Sequence, residues 1–327
     1  MKVCIYGVGA IGGFLGARLG AQGHAVSAVA RGATLAALAQ DGLRLQSGGD
    51  ELRVAVAAAE DPARVGPQDL VVVAVKAPAL PAVAARIAPL IGPDTMVLTA
   101  MNGVPWWFFS GMPGPHAGLR LACLDPDGAV ARAIPVAHVV GCVVHASCTT
   151  PAPGVVHNVM GRGLIVGEPA GGASARTATL AAALSAAGFE CRVSPRIQHD
   201  IWYKLWGNMT MNPVSALTGA TVDRILDDPL ANGFCQDVMR EAKAIGAAIG
   251  CPIEQTVEDR NTVTRKLGAF RTSMLQDVEA GKPLEIDALL TVVREIAGHA
   301  GVAAPNLDAL LGVTRVFARV RGLYPAA

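Results

Sequence analysis

Gly7-Val8-Gly9-Ala10-Ile11-Gly12 follows the apolar run Lys2–Tyr6 and leads into Phe14–Gln22, where Leu15 and Leu19 fall on one helical face. A G-x-G-x-x-G between a strand and a helix is built to bind a pyrophosphate. The first glycine permits a tight turn, the second lets the backbone come close to the phosphates, and the third packs helix against strand. The helix N-terminus then faces the anion. The next strand, Ala25–Ala30, is followed by Arg31. An acidic residue there reads a ribose 2′-hydroxyl, whereas a cation suits a 2′-phosphate, so the pattern points to NADP(H); the alternative for Arg31 is a solvated surface charge. Lys76, in Val75-Lys76-Ala77, closes a buried strand at its carboxyl end, where open α/β sheets bind ligands, unless it only snorkels to the surface. Asn102-Gly103 follows the next strand at the equivalent edge and is also an ordinary turn dipeptide.

A second polar group lies far along the chain. Lys204, Asn208 and Asn212 stand four apart among Ile201, Trp202, Leu205, Trp206, Met209 and Met211. Each helical step of four turns the side chain by only about 40°, so the three share one stripe. A helix this apolar is mostly buried, which would turn the stripe toward an enclosed polar cavity; a stripe facing solvent is the alternative. Pro213 should end or kink this helix. Ser273, Glu285 and Asp287 flank Gly281-Lys282-Pro283, with Glu285 expected in the first turn of a new helix, where a carboxylate by default complements the dipole.

The elements that must position these residues divide into two styles. Over the first 100 residues strands alternate with helices: Lys2–Tyr6, Ala25–Ala30, Asp69–Val75 and Met96–Thr99 read as strands, Phe14–Gln22 and Val83–Ile91 as helices. That alternation gives an α/β sheet of Rossmann type with helices on both faces. Gly103 to Ala133 is irregular and carries Trp106-Trp107-Phe108-Phe109, which should pack over a cleft or against a second subunit, since left exposed they would form an unusual apolar patch. Val136–Ser147 and Gly154–Val166 read as further strands, and Thr177–Ala187 as a helix stopped by Gly188. From about Pro195 helical periodicity takes over, with helices expected at Ile197–Met211, Leu230–Ile249, Ile253–Met274, Leu284–Ala300 and Leu307–Arg321. The expected division is a dinucleotide-binding domain over 1–193, with the irregular insertion near 104–133, and an all-α domain over 194–327.

Composition excludes several other classes. Of the 327 residues 52% are hydrophobic and 16% charged, so the chain can bury a sizeable core and is not disordered. Lys+Arg 27 against Asp+Glu 26 argues against broad electrostatic binding to nucleic acid or to an anionic membrane. Mean hydropathy is +0.41, but the two longest uncharged stretches, Thr95–Leu119 and Ala133–Gly161, are broken by glycine, proline and histidine, so no transmembrane helix is expected. The N-terminus lacks a signal-peptide pattern, and the seven cysteines contain no C-x-x-C, as in a cytoplasmic protein.

Taken in order, the fingerprint at 7–12, Val75-Lys76-Ala77, Met101-Asn102-Gly103, Lys204-x-x-x-Asn208-x-x-x-Asn212-Pro213, and Thr272-Ser273-Met274-Leu275-Gln276-Asp277 leading to Glu285-Ile286-Asp287 resemble the ketopantoate reductase (2-dehydropantoate 2-reductase) family. The resemblance spans nearly the whole chain. It implies a C-terminal domain like that of 6-phosphogluconate dehydrogenase, an interdomain active site, a small 2-keto acid substrate, and Lys204 as the general acid for hydride reduction by NADPH. It further implies substrate contacts from Asn208, Asn212 and Ser273, cofactor contacts from Lys76, Asn102 and the backbone of Ala146, and a Glu285 that meets the cofactor or Lys204. No metal is implied. The insertion either covers the cleft or contacts a second subunit of a homodimer. The chain departs from the family pattern at Pro78-Ala79-Leu80, where a glutamine is common, and at Val222, where some members carry asparagine.

Overall fold

The computed structural model describes residues 1–326. The chain forms two compact units: Met1–Pro113 with Ala117–Arg120 and Asp127–Asp200, and Ile201–Ala327 with Gly114–His116 and Leu121–Pro126.

The first unit is built on one ten-stranded sheet. Its strands are β1 (Lys2–Tyr6), β2 (Ala25–Val29), β3 (Leu43–Ser47), β4 (Asp50–Val54), β5 (Ala57–Ala59), β6 (Gln68–Val73), β7 (Ile91–Thr99), β8 (Val139–Ala152), β9 (Val155–Gly167) and β10 (Glu190–Val193). The run β5-β2-β1-β6-β7-β8 is parallel throughout and has the doubly wound Rossmann order. Beyond it β9 pairs antiparallel with β8, and β3 and β10 pair parallel with β9. Helices α1 (Ala10–Ala21), α2 (Gly32–Asp41), α3 (Leu80–Ala84), α4 (Ala129–Ala133) and α5 (Ala175–Ala186) belong to this unit. Val3, Ile5, Phe14, Leu15, Leu43 and Leu98 are among its fully buried core residues.

The second unit is helical: α6 (Ile197–Thr218, whose first four residues count with the first unit), α7 (Val222–Asp227), α8 (Pro229–Ala248), α9 (Val257–Arg265), α10 (Ser273–Glu279), a π-helical turn Asp287–Thr291 continuing into α11 (Val292–Ala300), and α12 (Pro305–Val320). No helix among the described residues is long and apolar enough to cross a membrane.

Several elements differ from expectation. The helix expected over 83–91 is two short pieces, α3 and a 3-10 turn Ala88–Leu90: Pro81 is tolerated in the first turn of α3, whereas Pro89 removes a donor that a continuous helix would need. The long helix expected over 253–274 is broken between Arg265 and Ser273, where Gly268 takes φ +62. The β3–β4 hairpin was not anticipated, although its turn, Gly48-Gly49 at φ +61 and +93, is a standard hairpin signal. α6 does not end at Pro213 but runs on to Thr218. An interior proline costs about 3 kcal/mol, and each large apolar side chain buried returns roughly 1.5–3 kcal/mol. Leu205, Trp206, Met209, Met211 and Val214 are all buried, so packing outweighs the proline.

The aromatic run of the insertion is buried within the chain itself. Trp106, Trp107, Phe108 and Phe109 are core residues of the first unit. Trp107 donates from Nε1 to Thr99 Oγ1 at 3.2 Å, and its ring lies against Gly141, where a Cβ would come within 2.6 Å. Gln198 Nε2 donates to the Phe108 carbonyl at 3.2 Å. The neighbouring stretch Leu121–Pro126 belongs to the helical unit, held by the Glu295 carboxylate, which accepts from the backbone N–H of Ala122 and Cys123.

Candidate active site

The three fingerprint glycines do three different jobs. Gly7 turns the chain at φ +98, and a Cβ there would sit 2.7 Å from a Val75 methyl. A Cβ on Gly12 would lie 2.1 Å from the Gly7 carbonyl oxygen and 3.0 Å from Ile5, so this glycine lets α1 lie against β1. Gly9 is different: nothing lies within 4 Å of its Cβ position. The protein itself imposes no steric need for glycine there, so the open space is room for a ligand to approach the backbone. Gly9 is also the N-cap of α1 and provides no side-chain cap, leaving the first-turn N–H groups of Ala10 and Ile11 for an anion beside Val8. These features fit a dinucleotide pyrophosphate.

The other first-unit candidates ring the carboxyl edge of the same sheet. Arg31 follows β2, is exposed, and forms the N-terminal boundary of α2 without a hydrogen bond from its own side chain. Lys76 is half-buried two residues beyond Ala74, whose N–H bonds the Tyr6 carbonyl at 3.0 Å, which sets the β6 end beside the fingerprint. Asn102 is half-buried ahead of Gly103, which takes φ +82. Ala146 falls at a register shift of the β8–β9 ladder between His145 and Ser147, which frees its backbone from regular pairing.

Two residues at this edge escaped the sequence reading. Tyr6 is the last residue of β1, directly before Gly7, and pairs in register with Val29 of β2. Burial pushes the Tyr6 phenol up, and the positive charges of Arg86 and Arg31 pull it back. Arg86 is held there by donating to the Glu60 carbonyl at 3.2 Å, just past β5, whose Ala59 carbonyl accepts from Ala30 at 3.0 Å. Arg31 and Arg86 thus share one neighbour, and among the described residues neither has a carboxylate within ion-pair distance. An Arg distant in sequence leaves no local motif; only the β2–β5 register brings it in.

In the helical unit, α6 carries the Lys204 stripe. Trp202 Nε1 donates to the Ala242 carbonyl at 3.2 Å and Trp206 Nε1 to the Met239 carbonyl at 2.8 Å, which anchors the helix to α8. Those indoles fix the rotation of α6 and hence the direction of the stripe. Lys204 and Asn208 are half-buried and Asn212 is buried. Ser273 is the exposed first residue of α10; the cap is its neighbour Thr272, whose Oγ1 accepts from Leu275 N–H at 3.2 Å. Glu285 is half-buried and stands immediately before the helical segment that begins at Ile286, not within its first turn. Asp287 is engaged, accepting from Thr291 Oγ1 at 2.8 Å and from the Tyr324 hydroxyl at 2.6 Å. Among the described residues no group of three His, Cys, Asp or Glu gathers in a way that could hold a metal ion.

Comparison with known proteins bears on the whole chain. Residues 3–171 match the family model "Ketopantoate reductase PanE/ApbA", and residues 196–318 match its C-terminal counterpart. A curated 2-dehydropantoate 2-reductase of Mesorhizobium japonicum is 42% identical over 325 residues, covering 99% of this chain and 100% of that protein. A crystal structure from Ralstonia solanacearum, assigned as a ketopantoate reductase, superposes with a TM-score of 0.96 at 60% identity, covering 99% of each chain. The 2-dehydropantoate 2-reductase structure from Methylococcus capsulatus gives 0.84 at 28% identity, covering 98% of each.

Proposed function

The chain belongs to the ketopantoate reductase family, oxidoreductases acting on CH–OH groups, and from that premise we propose that it reduces 2-dehydropantoate to pantoate with NADPH, a step of pantothenate synthesis. One observation carries the reading: the Lys204–Asn212 stripe of α6 holds an ammonium, half-buried and aligned with two carboxamides on a helix whose neighbouring residues are core.

The cofactor supplies the hydride when bound. The Gly7–Gly12 turn, with the uncapped N–H groups of α1, binds its pyrophosphate, and Lys76, Asn102 and the Ala146 backbone orient the rest. Arg31 and Arg86, two cations without carboxylate partners, match the charge of a 2′-phosphate and support NADPH over NADH. Lys204 gives its proton to the keto oxygen as the carbonyl carbon takes the hydride, and its charge stabilises the developing alkoxide. Asn208, Asn212 and Ser273 hold the substrate's hydroxyl and carboxylate, and Glu285 orients the ammonium.

The test is a panel of branched 2-keto acids assayed by NADPH absorbance on the parent and on Lys204→Ala. Ketopantoate should be turned over by the parent, and the variant should bind NADPH normally while losing turnover. The apolar Val222, fully buried, favours a second candidate in the panel, a branched 2-keto acid lacking the terminal hydroxyl.

A further inference from the structure

Gly207 lies between Lys204 and Asn208 on α6, one position before the asparagine. A Cβ on it would come within 2.9 Å of Arg260 Nη2, 3.4 Å of Nε and 3.6 Å of Cζ. The guanidinium of Arg260, from α9, therefore lies flat against the α6 backbone at the one position of that turn without a side chain. Its other support is Tyr203, the residue a turn earlier on the same side, whose ring centroid is 4.9 Å from Cζ. Tyr203 is itself fixed, its hydroxyl donating to Gln255 Oε1 at 2.7 Å.

The charge so held is uncompensated. Among the described residues Arg260 has no carboxylate within ion-pair distance, and its buried Nε has no hydrogen-bond partner. A buried donor left unpaired is costly, the more so when it is charged. Arg240, Arg265 and Arg294 of this unit have acidic partners, whereas Arg260, like Arg315, keeps a buried Nε without a hydrogen bond. A planar guanidinium without an acidic partner, set against the helix turn that carries Lys204 and Asn208, is a natural receptor for a carboxylate, which it binds through two parallel N–H···O bonds.

We propose that Arg260 anchors the carboxylate of the 2-keto acid substrate, leaving the adjacent keto oxygen to Lys204. This deepens the reading above and rests on it. Arg260 is a substrate-binding and specificity-determining residue, and it explains the glycine at 207 as room for the guanidinium. It also makes the substrate class narrower: an α-keto carboxylate, and not its ester or amide.

The experiment compares the parent, Arg260→Lys and Arg260→Gln on ketopantoate and on its neutral methyl ester, with NADPH affinity and thermal midpoint measured for each. Loss of one charge-assisted bidentate contact should raise KM for the acid about 30-fold in Arg260→Gln while kcat changes by less than about threefold. Arg260→Lys should recover only part of this, because the ammonium keeps the charge and loses the fork and the stacking. The ester should be turned over equally poorly by all three proteins, and NADPH affinity should not move. Equal losses on acid and ester, or a lowered midpoint with unchanged KM, would show a packing role and overturn the proposal while leaving the reductase reading intact. A parent that reduces no 2-keto acid would overturn both.

Discussion

In the proposed function, the Gly7–Gly12 turn and the Lys204 stripe of α6 would recognise ligands by opposite means. The turn works by what it lacks: three positions without side chains, presenting backbone N–H groups at the end of a parallel sheet. The stripe works by what it carries, three polar side chains on a helix whose other faces are core. A backbone site tolerates no added atom, and its demands are local. A side-chain site depends on how distant elements rotate the helix, here through Trp202 and Trp206 bonding to α8. The two glycines at 9 and 12 sharpen the point, because they read alike in sequence and differ entirely in space. One has an empty Cβ position and the other has a carbonyl oxygen 2.1 Å away.

The largest effect should come from the side-chain site. Lys204→Ala removes the proposed proton donor and should lower kcat about 10²–10⁴-fold, or roughly 3–5 kcal/mol of transition-state stabilisation, with NADPH affinity by fluorescence titration unchanged. A folded variant whose kcat stays within a few-fold of the parent would move the acid elsewhere.

Next comes the packing glycine. Gly12→Ala forces a methyl onto the Gly7 carbonyl, Ile5 and Ala74, and overpacking of this kind costs about 1–3 kcal/mol or more. The expected outcome is a thermal midpoint lowered by several degrees together with lost cofactor binding. Gly9→Ala is its control: the free protein should melt as the parent does, yet bind NADPH about tenfold more weakly, because the methyl occupies ligand space. Equal melting losses in both variants would break the distinction between the two glycines.

Arg31→Ala is a smaller change at the exposed end of the turn. It should narrow the NADPH over NADH preference about tenfold, an amount typical of one charged hydrogen bond, with little effect on NADH itself. The preference should also weaken as salt rises, since Arg31 is exposed. An unmodified protein that binds both cofactors equally would remove the 2′-phosphate reading.

The smallest expected effect concerns the inert thiols. Burial pushes Cys4, Cys148 and Cys191 up to about 11, so near neutral pH they stay protonated and unreactive. Iodoacetamide at pH 7.5 should leave turnover nearly unchanged, and inactivation should set in only as the pH climbs toward that value. Rapid loss at neutral pH would place a reactive cysteine near one of the two regions.

Much of this protein was legible before any fold was known, wherever the determinant is short in range. The strand-glycine-helix order at 2–22, the buried DLVVVAV run and the four-residue spacing of Lys204, Asn208 and Asn212 each depend only on neighbours along the chain. They produced the Rossmann half, the helical half and the polar stripe. What the linear pattern misjudged depended on competition between distant forces. Pro213 fails to end α6 because burial of its neighbours outweighs one lost hydrogen bond. Trp106–Phe109 read as a loop in need of a cover, yet they are core, because β7 and β8 supply Thr99 and the small Gly141 for them to pack on. Glu285 stands one step ahead of its helix. Only tertiary structure could bring Arg86 beside Tyr6 and Arg31, or Arg260 against Gly207, since those residues lie 55 or more and 53 positions apart in the chain. A guanidinium on a long side chain carries no periodic signal, and its partners are chosen by strand register and helix packing rather than by sequence spacing.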